Sequence, residues 1–433
     1  MKSIFLSQFA VSFLLFIAAQ GNGSAAEPLS LKDCIEMARG NQPAIRAAQE
    51  NVRAGQGRET QAASPYYPQL TGSTGYSESH SPMGGAFGES ITKIYVTTLA
   101  LNQTLYDFGK TGHTYDAAKL GVRSSEQDAE RVIQEVVLGV KQAYYALLAA
   151  KKLVEVANKT IEQTESHLRQ AEAFFRAGSK PKFDVTRAEV EVNNAKLGLI
   201  NADNGVRIRT LALNRAMGID PGRPTEIVDA LPIVPALPTR EQAEQESLKE
   251  RPDMRKIDAD IETARSRVQA ERSNYLPTIS ANAAYNWQNG TSEIGSIKGD
   301  VQNSWNAGVM LSVPLFQGGL TKGRVSEARA NQLALEAQRD AVKQSILLEV
   351  NQAYADMESA NARVEVMDKT LEKARDNLNI AEGRYRAGVG PHIEVTDAQL
   401  SLVNSETDRI KALYDYHLAI AQLLKAMGDK TFE

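Results

Sequence analysis

Residues 176–188 read RAGSKPKFDVTRA, and residues 386–398 read RAGVGPHIEVTDA. Both segments have the same grammar. Ala-Gly closes one helix, Pro follows three residues after the Gly and stops its continuation, and a new helix starts with an acidic residue near its beginning. The two stops lie 210 residues apart. The same shift aligns Gln142-Ala143-Tyr144 with Gln352-Ala353-Tyr354, and Met217-Gly218 with Met427-Gly428. Nearer the start the shift is 209, matching Pro43 with Pro252, Tyr66 with Tyr275, Pro68 with Pro277 and Tyr76 with Tyr285. One residue of slippage over so many segments means an internal duplication that shares every element. The copies run roughly from Leu31 to Asp220 and from Arg240 to Asp429.

Working outward from the stops, a Pro-free helix precedes each, over about 110–176 and 320–386. At 1.5 Å per residue each is roughly 100 Å long. Val132, Val136, Val140, Tyr144 and Leu147 give the first its apolar stripe. The returning helices are expected over about 183–217 and 393–427. Val185, Val192, Leu199, Val206 and Leu213 repeat every seven residues, with Ala188, Ala195 and Ala202 interleaved. Ala398, Ser405, Ala412, Ala419 and Ala426 mark the same seam in the second copy. A strict heptad means coiled-coil packing, and small residues let the backbones approach. Each copy opens with a shorter helix, about 44–63 and 253–273, whose preceding Pro suits a first helical turn.

Between short and long helix the period changes to two. Ile279, Ala281, Ala283, Tyr285 and Trp287 alternate with Ser280, Asn282 and Asn286. Trp305, Ala307, Val309 and Leu311 alternate with Asn306, Gly308 and Ser312. Strands are expected over about 69–79, 93–105, 278–288 and 303–314. Runs of this length with one apolar face suit a transmembrane β-strand, although a hairpin on a soluble core shows the same alternation. Tyr76, Tyr95, Tyr285, Trp287 and Trp305 sit at the loop-side ends, where an interfacial aromatic girdle would lie. Four such strands cannot close a barrel, and an open edge cannot stay in lipid. Further copies of the chain must complete it, two giving eight strands and three giving twelve.

The remaining composition narrows the class. Among 433 residues, 49 basic side chains face 53 acidic ones, for a net charge of −4. Without a basic stripe carrying aromatics, no nucleic-acid partner is expected. Lys2, the apolar run Ile4–Ala19 and Ser24-Ala25-Ala26 read as a signal peptide over residues 1–26. A first repeat over 27–220, a Pro-rich connector over 221–239 in the equatorial region and a second repeat over 240–433 then follow. The lone Cys34 makes no intrachain disulfide. Five scattered His residues offer no metal spacing, and no Gly-rich phosphate loop is present, so neither enzyme nor cofactor is expected.

The chain resembles the TolC family of outer-membrane factors. The resemblance rests on the aromatic-Pro approach to the strands (Tyr66 to Pro68, Tyr275 to Pro277), the strand-to-helix corners (Leu105 to Gly109, Leu315 to Gly319) and the two helix stops. It implies a membrane β-barrel of twelve strands, four per chain in a homotrimer, continued by a periplasmic coiled-coil tunnel. It further implies an outer-membrane exit channel in a Gram-negative bacterium, for efflux or type I secretion. Its implied partners are outer-membrane lipid, a periplasmic adaptor (a membrane fusion protein) and an inner-membrane RND or ABC transporter. The helix tips, Arg176, Gly178, Pro181, Arg386, Gly388, Val389, Gly390 and Pro391, would meet the adaptor. Glu394 and Asp397 match the acidic ring that narrows the entrance in relatives. Arg187 stands in the first copy where Asp397 stands in the second. His392 lies where the family often has an Arg that locks the closed entrance, with Asp184 as its partner across the hairpins. The competing reading is a soluble periplasmic coiled-coil scaffold or adaptor, against which the paired strands with aromatic ends argue.

Overall fold

The computed structural model describes residues 28–82, 89–231, 237–294, 297–300 and 303–429. The signal-peptide segment 1–26 lies outside the described residues, as does part of the connector. Helix α1 (Leu31–Asn41) precedes α2 (Pro43–Ala63). Strands β1 (Gln69–Pro82) and β2 (Glu89–Tyr106) lead into α3 (Lys110–Arg176), which returns as α4 (Lys182–Ala216). The second copy repeats this order with α5 (Arg240–Glu250), α6 (Pro252–Ser273), β3 (Thr278–Ile294), β4 (Ile297–Asp300), β5 (Ser304–Ser312), α7 (Leu320–Arg386) and α8 (His392–Met427).

Two helices go beyond the sequence reading, α1 and α5. Their signal was a capping box. Ser30 Oγ accepts from the Asp33 N–H while the Asp33 carboxylate accepts from the Ser30 N–H, and Thr239 with Gln242 repeats the exchange. Each packs at mid-height on its copy's long helix.

The sheet runs β1-β2-β3, and β5 pairs with β3 beyond. All pairings are antiparallel, and β4 extends the β5 edge farther along β3. The register puts Leu70, Leu99, Leu101, Ile279, Ala283, Val309 and Leu311 on one face. Thr98, Asn102, Asn282, Asn286 and Asn306 share the other, where Thr98 Oγ1 donates to Asn286 Oδ1 at 2.7 Å. Gly109 and Gly319 turn strand into helix with left-handed φ of 92° and 87°.

Packing orders the helices into staves. One side of α3 carries α2 above and α4 below; the other carries α6 above and α8 below; α7 closes the row beyond α6 and α8. The main core lies at mid-height, where Val137, Tyr144 and Leu147 of α3 meet Ile346 and Val350 of α7, Leu423 of α8 and Ile35 of α1. The connector is tied down there by Tyr144 Oη donating to Val228 O at 2.9 Å. No helix among the described residues is long and apolar enough to cross a membrane.

The duplication is visible at the equatorial corners. Gln42 Nε2 donates to the carbonyls of Arg215 and Ala216 at 3.2 and 3.0 Å, closing the end of α4. Arg251 does the same for α8 through Ala426 O, and also bonds Glu349 at 2.6 Å and Asp253 at 2.8 Å. Burial works against the Glu349 charge, but Arg251 and Lys425 beside it hold the carboxyl below its usual range. Arg251→Ala is expected to cost about 2 kcal/mol, because Glu349 and Asp253 lose their main partner. Arg251→Gln should cost less than half of that, since Gln42 performs the same closure in the first copy. Urea unfolding of the detergent-solubilised protein reads both.

Candidate functional site

Three regions carry the candidate residues: the apolar face of the sheet, the outer flanks of the staves, and the hairpin tips.

Tyr76, Tyr95, Tyr285, Trp287 and Trp305 all project from the apolar face. Tyr76 is paired with Tyr95, Trp287 with Thr97, and Tyr285 with both Leu99 and Trp305. The rings touch, with centroids 4.7 Å apart for Tyr76–Tyr95 and 4.4 Å for Tyr285–Trp287. They form a band across all four strands rather than a rim, because β1, β2 and β3 continue well past it. Past the band the same face carries the Glu78–Lys93 ion pair at 3.1 Å. At the opposite end a second aromatic border stands exposed, formed by Tyr66, Tyr67, Tyr106, Tyr275 and Phe316. From the level of Tyr106 to that of Tyr95 the ladder spans ten residues of β3, Ile279 to Asn289, about 33 Å along the strand. At a barrel tilt near 40° that is a band about 25 Å tall, the height of a transmembrane barrel's apolar belt.

The stave row ends in two uncovered flanks. On α4, Phe183, Val190, Leu197 and Leu211 are exposed at heptad spacing; on α7, Leu333, Leu348, Val366 and Ile380 form an exposed stripe. Strands β1 and β5 are the corresponding open edges of the sheet.

At the tips, both turns are Schellman closures with Gly in the left-handed region, Gly178 at φ 72° and Gly388 at φ 76°. Ser179 N donates to Phe174 O at 3.0 Å, and Val389 N to Arg384 O at 3.1 Å. Arg176, Pro181 and Pro391 are exposed, Gly390 is buried, and Arg386 lies 3.9 Å from Glu382. Phe175, Phe183 and Val389 add exposed apolar surface around them. The two acidic candidates behave differently. Glu394 is bonded by Arg384 of its own hairpin at 3.0 Å, whereas Asp397 is exposed and has no ion pair among the described residues.

His392 is 3% exposed. Within the chain it meets Glu191 rather than Asp184: Nε2 lies 3.4 Å from Glu191 Oε2, without hydrogen-bond geometry. Asp184 is one heptad closer to the tip on the same face of α4. The reason is a stagger. His392 opens α8, but Glu191 is nine residues into α4, so the first hairpin projects beyond the second. The pairs Gln163–Gln399 at 2.6 Å and His167–Glu382 at 3.3 Å are offset in the same direction by about six and five residues, so the stagger averages about 10 Å. Thr396 Oγ1 donates to Glu191 Oε1 at 2.6 Å, and Arg187 Nε stands 3.6 Å from it. Burial pushes the Glu191 carboxyl up, but these neighbours outweigh it and hold it below its usual range. Under them lies Tyr385, stacked edge-on with Phe174 at 5.6 Å and packed on Leu378, Val395 and Ala398. No group of three or more metal-binding side chains occurs among the described residues.

A family model described as "Outer membrane efflux protein" matches residues 34–219 and 244–429, one match per copy. The chain is 25% identical to the alkaline protease secretion protein AprF of Pseudomonas aeruginosa, over 91% of this chain and 83% of that protein. It is 22% identical to the outer membrane protein TolC of Vibrio cholerae, over 96% of this chain and 94% of that protein. Among solved structures, that of CusC, studied for transmembrane channel formation, shares the fold with a TM-score of 0.78 at 20% identity. That likeness covers 95% of this chain and 96% of CusC.

Proposed function

The chain belongs to the outer membrane efflux protein family, and we propose that it is the outer-membrane exit duct of a tripartite efflux or type I secretion system. One observation carries the reading. A one-sided sheet, bordered by aromatics at both ends of an apolar band, runs directly into staves of about 100 Å. A four-stranded sheet with open edges cannot stay in lipid alone. Joining β5 of one copy to β1 of the next, and the α7 stripe to the α4 seam, satisfies sheet and staves together. Three copies give twelve strands and twelve staves, a homotrimeric barrel continued by a periplasmic tunnel. The secretion role printed in the name of AprF supports the secretion branch, and the family name supports the efflux branch.

The hairpin tips are the entrance in this reading. Their exposed Phe175 and Val389, with Arg176 and Lys182 around them, suit docking by a periplasmic adaptor that links an inner-membrane RND or ABC transporter. Asp397 is the residue that forms the entrance ring, because its charge is uncompensated within the chain. Glu394 contributes less, its charge being already met by Arg384. In planar bilayers the trimer should give steady pores blocked by divalent cations from the entrance side. Asp397→Asn removes three converging carboxylates and should weaken that block at least about tenfold, whereas Glu394→Gln should change it less than about threefold. Recovery of the protein as a soluble periplasmic monomer, the behaviour of a scaffold or adaptor, would overturn the duct.

A further inference from the structure

The two hairpins are held together differently from the way each is held within itself. Inside the second hairpin, α7 and α8 share an apolar seam of Leu371, Leu378, Tyr385, Val395 and Leu402. Between the hairpins Phe174 packs on Tyr385 near the tips, and two of the polar contacts beside that pair are reciprocal. His167 of the first hairpin faces Glu382 of the second at 3.3 Å. His392 of the second faces Glu191 of the first at 3.4 Å. Both ring nitrogens of the buried His392 lack a hydrogen-bond partner, and so does the buried Tyr385 hydroxyl beside it.

We propose that these two His–Glu pairs form a proton-operated clasp between the hairpins, closed in acid and released at neutral to alkaline pH. The proposal rests on the duct reading only in taking these ends for the entrance. Histidine is the side chain whose ordinary titration, near pH 6.5, falls in the physiological range. Protonated, each ring places a cation against a carboxylate of the other hairpin, and a charge-assisted bond across the interface follows. Neutral, His392 keeps one ring N–H but no charge, so its attraction to Glu191 loses its ionic part, while Glu191 remains satisfied by Thr396 and Arg187. The clasp therefore gains from low pH and loses as pH rises. The other groups around the two rings do not reverse that sign. Burial, then the charges of Asp184 and Glu191, push the Tyr385 hydroxyl up, so it stays protonated throughout. Lys180 lies 5.4 Å over the Tyr385 ring. Arg384 and Glu394 neutralise each other at 3.0 Å, and Arg386 stands 3.9 Å behind Glu382.

The test uses the full-length trimer in detergent, spin-labelled through Glu189→Cys on α4 and Ser401→Cys on α8. Cys34 does not interfere, since burial pushes its thiol up to about 12. Electron–electron distance measurements at about pH 5.5 and about pH 8 read the gap between hairpins. The separated population should rise about tenfold at the higher pH, and Glu191→Gln with Glu382→Gln should erase that response. The singly substituted, surface-accessible Glu382→Gln should halve the response and guards against misfolding of the double variant. Identical distances at both pH values, or an undiminished response in the double variant, would overturn the clasp. Bilayer conductance recorded in parallel separates the two readings. A gap that follows pH while conductance stays fixed supports the clasp and removes the entrance assignment.

Discussion

Leu101→Arg is expected to strip the protein from the outer membrane, while Asn102→Arg, its neighbour, leaves it assembled. Leu101 pairs with Leu70 and Ala283 on the apolar face, about midway between the Tyr95 band and the Tyr106 border. Asn102 points the other way, paired with Gln69 and Asn282. A single arginine on the lipid face at mid-depth costs about 2–4 kcal/mol per strand, so a trimer meets that cost three times. That is comparable with the whole stability of a typical domain, so unassembled chains should accumulate. On the lumen face the same charge is hydrated and should only shift ion selectivity. Membrane fractionation with trimer detection reads the first effect, and reversal potentials in bilayers read the second. Equal assembly of both variants would mean that the two faces have been assigned wrongly or that the sheet is not in lipid.

Gly218→Ala should be the most damaging methyl among the left-handed glycines of the described residues. Gly218 has φ 72°, and an added Cβ would stand 2.8 Å from the backbone of Asn41 and Gln42. Those atoms belong to the corner between α1 and α2, which Gln42 itself fastens onto the end of α4. The left-handed backbone alone costs about 1–2 kcal/mol with a side chain present, and displacing the corner adds about 1–3 kcal/mol. Gly428 repeats the arrangement with more room, 3.0 Å to Arg251 N, so Gly428→Ala should cost less. Gly178 shares the backbone conformation but has nothing within 4 Å, so Gly178→Ala should show the conformational cost alone. The order 218, 428, 178 in loss of urea midpoint is the expected result; an equal loss at all three sites would refute the steric part.

Much of this fold was legible because its determinants are local and repeated. The Ala-Gly and Pro stops at 177–181 and 387–391 write their own helix ends, and the heptad from Val185 to Leu213 writes its own packing. The alternation from Ile279 to Trp287 writes its own face. What escaped reading was relative height. The 210-residue shift equates the two tips in sequence, but nothing local reports the stagger of about 10 Å that moves His392 from Asp184 to Glu191. Glu191, Glu382 and His167 were missed for that reason, since their meaning depends on a neighbour fixed by packing. The aromatics suggested a terminal girdle because the sequence does not say where a strand stops. Here β1 goes on from Tyr76 to Pro82. The small helices α1 and α5 could have been found from Ser30–Asp33 and Thr239–Gln242, patterns that do not depend on distant residues.

The two long helices are both 67 residues, Lys110–Arg176 and Leu320–Arg386. Equality of that kind restricts how such a protein can evolve. An insertion in one helix would change the stagger between the two tips and take every cross-link below it out of step. A change in reach is therefore inherited safely only when both halves of the gene change together, and by whole heptads, so that the seams stay facing. The organism's envelope width then becomes a quantity counted in paired seven-residue steps, each about 10 Å. Descendants of this scaffold in thicker or thinner envelopes should differ in length by such matched steps rather than by single residues.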